Sequence, residues 1–187
     1  MAMNPRLRKL TLTAHVTSSV GWLGAVAVFL VLAAVGLSSD DAQTVRGAYL
    51  AIEPTGWFVL VPLSFASLLT GLIQSLGTSW GLFRHYWVLF KLLINVVATA
   101  LLLVHMQVVG HVADVAAEAS LSSGDLFGMR VQLLADAAAA LVVLLVAVAL
   151  SVYKPRGLTR YGWRRQQGMR GPQPVAGGDQ TAGLAAR

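Results

Sequence analysis

Residues 10–37 read LTLTAHVTSSVGWLGAVAVFLVLAAVGL, an apolar run interrupted only by threonine, serine, glycine and one histidine. An α-helix rises about 1.5 Å per residue, and about 20 mostly apolar residues cross the hydrocarbon layer of a bilayer. The run is long enough to cross, and longer than the roughly 7–15-residue apolar core of a cleaved secretory signal. Three further segments have the same character, from about Trp57 to Leu76, Tyr86 to Val109 and Val131 to Tyr153. The sequence therefore predicts an all-α fold, a four-helix transmembrane bundle connected up-down-up-down.

Composition agrees, with 56% hydrophobic and only 12% charged residues, where a soluble domain carries roughly 25% charged. Cysteine is absent, which excludes disulfides, thiolate metal sites and cysteine nucleophiles. The net charge of +6 does not point to nucleic acid, because the charges sort by side. Arg6, Arg8 and Lys9 precede the first span, Arg84 lies between the second and third, and Lys154, Arg156, Arg160, Arg164, Arg165 and Arg170 follow the fourth. The other two connections carry Asp40, Asp41, Glu53, Asp114, Glu118 and Asp125 against Arg46 and Arg130. Lysine and arginine collect on the cytoplasmic side, so a multi-pass protein of the plasma (inner) membrane with both termini in the cytoplasm is expected.

Three regions follow: a basic cytoplasmic N-terminus over 1–9, the transmembrane domain over 10–153, and a cytoplasmic tail over 154–187. The tail turns from basic to rich in Gly, Pro, Gln and Ala, cannot build a core, and reads as disordered. Its arginines, with Tyr161 and Trp163, suit anionic lipid headgroups. The expected partners are thus the lipid bilayer, those headgroups and a membrane protein, but no nucleic acid.

Ionisable groups inside a span are costly and mark function by default. Here each span has a polar stripe: His15, Ser18, Ser19 and Trp22; Ser67, Thr70, Gly71 and Gln74; Lys91 and Asn95, with His105 near the same face; Gln132 and Asp136. Counting helical rise divides them by depth. His15 lies roughly 7 Å inside the first span and Lys91 at a comparable depth in the third, whereas His105 and Asp136 lie near the opposite face. Two meetings are expected, His15 with Lys91 and His105 with Asp136. A haem held between His15 and His105 is not. His85 points aside from Lys91, and His111 falls beyond the end of the third span, in solvent. Each group also has a plain reading: His15 bonded to a backbone carbonyl, Lys91 reaching back to the headgroups, His105–Asp136 as a structural pair, and the second-span stripe as a close packing face.

AHVTSSVGW, with His15 and Trp22 seven positions apart, and WVLFKLL, with Trp87 four before Lys91, resemble the first- and third-helix motifs of the CopD/HemJ-like superfamily. The resemblance covers roughly residues 10–153, and in overall style it is greatest to the uncharacterised integral membrane families of that superfamily. Its HemJ branch is associated with haem b and with oxidation of protoporphyrinogen, its CopD branch with copper. The resemblance implies haem b, or another porphyrin, near the cytoplasmic side. His15 would be the axial ligand to the haem iron, Lys91 a second ligand or the partner of a propionate, and Trp22 and Trp87 the walls.

Where the HemJ first helix continues into a Pro-Arg-bearing aromatic stretch, this chain has AVFLVLAAVGL, which departs from the oxidase pattern. Soft ligands favour copper(I), and cysteine is lacking. Two other roles stay open, that of a non-enzymatic accessory or assembly protein and that of copper or ion handling. The latter would use His105 and Asp136, or His105, Met106 and His111. Whether the chain is an enzyme is not decided by its sequence.

Overall fold

The computed structural model describes residues 4–77, 86–118, 124–153, 159 and 163. The elements are α1 (Pro5–Ser38), α2 (Ala42–Thr55), a wider π turn (Gly56–Leu60), α3 (Val61–Gly77), α4 (Tyr86–Ala117) and α5 (Gly124–Tyr153). Four stretches are long and apolar enough to cross a membrane: Pro5–Ser38, Ala42–Gly77, Tyr86–Ala117 and Leu126–Tyr153. The all-α fold of four such stretches is compatible with an integral, multi-pass membrane protein. Arg84, His85 and the tail apart from Thr159 and Trp163 lie outside the described residues.

Asn4 caps α1 by accepting from the Arg6 N–H at 3.1 Å, and Pro5 takes the first helical position, where no N–H is required. The helix buries a single stripe, Ser18, Trp22, Ala25, Val26, Phe29, Ala33 and Gly36. Between lipid-soaked helices no hydrophobic force operates, so small residues and hydrogen bonds decide which faces meet. That stripe, with Ser18, Ala25, Ala33 and Gly36 between its larger residues, is such a face.

Two connections differ from the sequence reading. The segment after Leu37, read as a polar connection around Asp40, Asp41, Arg46 and Glu53, contains α2. Asp41 caps it, accepting from the Thr44 N–H at 2.9 Å and the Thr44 hydroxyl at 2.6 Å. Val45, Ala48, Tyr49 and Ile52 form its buried face, a helical period hidden among charges and glycine. The chain then enters the second apolar stretch through the π turn, between Pro54 and Pro62, neither of which has an N–H to give to the ladder. At the other connection α4 runs past Val109 to Ala117 and α5 begins at Gly124. His111 is therefore an exposed residue within α4, not one beyond its end, and Arg130 is helical.

The interior changes character along its length. Around α2 the largest fully buried side chains are Tyr49, Ile52, Met106, Val109, Val112 and Leu133. Arg130 closes this end: its Nε donates to the Tyr49 hydroxyl at 2.9 Å, its other guanidinium nitrogen donates to the Gly36 carbonyl, and its plane lies 5.3 Å from the Tyr49 ring centre. Gly36 is obligatory here, because a Cβ would stand 2.6 Å from the Tyr49 ring. Toward the chain termini the buried residues include Ser18, Ser67, Asn95 and Thr99, beside Trp22, Leu144 and Ala147. The apolar core thus occupies the α2 half, and the other half has a polar interior.

Candidate functional site

The polar half is assembled from α1, α3, α4 and α5. His15 leaves α1 toward α3, where its Nδ1 lies 3.1 Å from the Ser67 carbonyl oxygen and 3.2 Å from the Thr70 hydroxyl oxygen. The Thr70 hydroxyl donates its own proton to the Ala66 carbonyl at 2.5 Å. Both neighbours of Nδ1 are therefore acceptors, which assigns the proton of the neutral ring to Nδ1 and leaves the lone pair on Nε2. Gly71 permits this approach, since a Cβ there would lie 2.9 Å from His15 Cε1 and 3.3 Å from Nδ1. One turn on, Ser19 and Ser67 share a hydrogen bond of 2.7 Å.

Lys91 points to α5, not to His15. Its Nζ donates to the Ser151 hydroxyl at 2.5 Å, and the Ser151 hydroxyl donates to the Ala147 carbonyl at 2.8 Å. Ser151 thereby acts as an acceptor, and two ammonium N–H donors remain on Lys91. His15 and Lys91 share no hydrogen bond. Trp22 is buried two turns along α1 from His15, and Trp87, partly buried, precedes Lys91 by one turn. The Gln74 carbonyl oxygen and the Thr99 hydroxyl oxygen are also buried, without a hydrogen-bond partner among the described residues.

The second level lies beyond this one. His105 Nδ1 meets Asp136 Oδ2 at 3.0 Å, with side chains 13% and 47% exposed. The Phe29 ring lies beside the His105 ring, centres 6.1 Å apart. Phe29 is four turns from His15 along α1 and His105 four turns from Lys91 along α4, roughly 21 Å in each case. The structure thus brings His105 to Asp136 and keeps the two histidines at separate depths.

Among the described residues no three His, Asp or Glu side chains gather to hold a metal ion. His105 turns to α5, Met106 is buried against Gly56, and His111 is exposed, so these three do not assemble into one copper site. Consecutive helical positions diverge by about 100°, which separates 105 from 106. A single axial bond to a haem iron has smaller demands. A neutral imidazole whose Nδ1–H is tied to a backbone carbonyl is the usual form of a metal-ligating histidine, and His15 meets it.

Two features of these sites escaped the sequence reading. Ser151 was hidden in an apolar span, although counting rise from Tyr153 places it at the same end as Lys91, about 3 Å in against about 7.5 Å, within the reach of a lysine side chain. The Gly36–Tyr49–Arg130 closure gave no local signal. Comparison of the chain with family models, with curated proteins and with solved structures finds no match.

Proposed function

We propose that the chain is an integral protein of the plasma membrane, crossing it up-down-up-down with both termini cytoplasmic, that binds haem b or another porphyrin at the level of His15 and Lys91. The observation that carries this reading is the His15 network. The Ser67 carbonyl and the Thr70 hydroxyl occupy Nδ1 and leave Nε2 as a basic lone pair suited to an axial bond. Lys91, already bonded to Ser151, suits a propionate better than the iron, because its two remaining donors can meet a carboxylate while the ammonium stays charged. Trp22 and Trp87 supply flat apolar surface one and two turns away. A bound haem would give the membrane domain a one-electron redox centre. The basic tail would rest on anionic headgroups on the same side.

A second reading has its own observation. The same bonds tie α1 to α3 (His15 and Ser19 to Ser67) and α4 to α5 (Lys91 to Ser151). Polar groups of this kind hold membrane helices together, as a non-enzymatic accessory or assembly protein would need. Titration of haem into the purified protein in mild detergent separates the two. Saturation near one haem per chain, lost in a folded His15→Ala variant, supports the cofactor. No saturable uptake, with a membrane protein co-purifying from native membranes, supports the accessory role.

A further inference from the structure

The His105–Asp136 pair has a feature that a packing contact does not need. Nδ1 faces a carboxylate oxygen, so it carries the proton of the neutral ring. Nε2 is buried and has no hydrogen-bond partner among the described residues. Asp136 is half-exposed and His105 is largely buried. One ring nitrogen thus meets a half-exposed carboxylate, and the other is buried within the bundle.

The ring sits at the edge of the apolar core, against Phe29, and the polar residues of α4 begin beyond it, toward the other level. Thr99, buried and likewise without a partner for its hydroxyl oxygen among the described residues, lies on α4 between His105 and the other level. Lys91, Asn95 and Thr99 follow one another at single-turn steps on that helix, and Asn95 is buried. From Thr99 to His105 the axial rise is roughly 9 Å and the two positions lie about 120° apart around the helix, a gap that needs at least about three hydrogen-bonded waters at about 2.8 Å spacing. Buried water characteristically sits where polar atoms would otherwise be orphaned.

We propose that His105 and Asp136 form a proton port, exchanging protons between the surface at the α2 end and an internal path past Thr99 and Asn95 toward Lys91. This proposal is independent of haem binding. A proton arriving at Nε2 through water makes the ring an imidazolium. The Nδ1 proton then passes to Asp136 and on to solvent, leaving a neutral ring protonated at Nε2, and a half-turn of the ring resets it. Transfer in the other direction uses the same two nitrogens in reverse order. No electron moves, and each proton gained at one nitrogen is matched by one lost at the other.

Few other charges surround the ring. Asp136 faces it from α5, while α1 presents the Phe29 ring. The Glu53 carboxylate of α2 lies more than a turn farther along α4, beside Gly110. Arg130 is committed to Tyr49 and Gly36.

The test uses the full chain in sealed vesicles holding a pH-sensitive dye, with a potassium gradient and valinomycin supplying the driving potential. Wild-type vesicles should take up protons several-fold faster than protein-free ones. His105→Gln and Asp136→Asn should fall to near the protein-free rate, while His111→Gln, which alters an exposed histidine outside the pair, should keep the wild-type rate. Circular dichroism and gel filtration check folding, and Asp136→Asn alone carries the test if His105→Gln does not fold. Uptake by wild type no faster than by empty vesicles, or equal rates in wild type and both port variants, overturns the proposal.

Discussion

Replacing Gly36 by alanine adds one carbon where the structure has no room for it. That Cβ would stand 2.6 and 2.8 Å from two Tyr49 ring carbons and 3.0 Å from the Tyr49 hydroxyl oxygen. The ring has nowhere simple to go, since Tyr49 is 1% exposed and its hydroxyl accepts from Arg130 Nε at 2.9 Å. Overpacking of this kind costs about 1–3 kcal/mol, and losing a hydrogen bond to a charged donor about 1.5–3 kcal/mol. Since relaxation of one relieves the other, a destabilisation of about 2–4 kcal/mol is expected for Gly36→Ala. Reversible unfolding in mixed micelles with increasing denaturing detergent, followed by circular dichroism, measures it. Gly24→Ala is the control: nothing lies within 4 Å of a Cβ there, so it should be as stable as wild type or more stable by up to about 1 kcal/mol, the helix preference of alanine over glycine. Gly36→Ala as stable as Gly24→Ala would refute the placement of Tyr49 and Arg130 against α1.

Other consequences are as specific. Arg130→Met leaves the Gly36 carbonyl and the Tyr49 hydroxyl without the donor they share, and should destabilise the fold by about 1–3 kcal/mol; the same unfolding assay reads it, and an unchanged midpoint would contradict it. Gly71→Ala pushes the His15 ring off α3 and should abolish the Nδ1–H form of that ring, which nitrogen-15 NMR of labelled histidine distinguishes; an unaltered tautomer would contradict the packing. The Thr44 hydroxyl and then its amide hold the Asp41 carboxyl below its usual value. The sign follows from that lowering: the cap stabilises α2 above the ordinary aspartate range and is lost as pH falls through the lowered folded value. The Thr44 amide resonance should therefore titrate with a midpoint below that of an unstructured aspartate, and a midpoint at or above it would count against the cap.

Much of the architecture was legible because membrane spans announce themselves. Apolar length identifies them, and counting helical rise separates the His15 level from the His105 level without any knowledge of packing. What stayed hidden was short or lateral. The helix α2 carries Arg46, Gly47, Glu53 and Pro54, which mask the period of Val45, Ala48, Tyr49 and Ile52; its clearest sign is the Asp41 cap. Arg130 looked like a loop charge because sequence does not show how far a guanidinium reaches back across a bundle. Depth counting put His15 level with Lys91, but depth does not choose partners. His15 bonds to the Ser67 carbonyl and Lys91 to Ser151, because the faces of α3 and α5 decide what each meets. The Ser67–Gln74 stripe, legible as a packing face, is also the surface that assigns the His15 tautomer.

Porphyrin binding at His15 is tested most directly by the visible spectrum of the protein purified in mild detergent after growth with ample haem. A Soret band with sharp α and β bands on dithionite reduction, lost or strongly shifted in a folded His15→Ala variant, is the predicted result. A colourless protein, or a haem spectrum identical in wild type and His15→Ala, would contradict it.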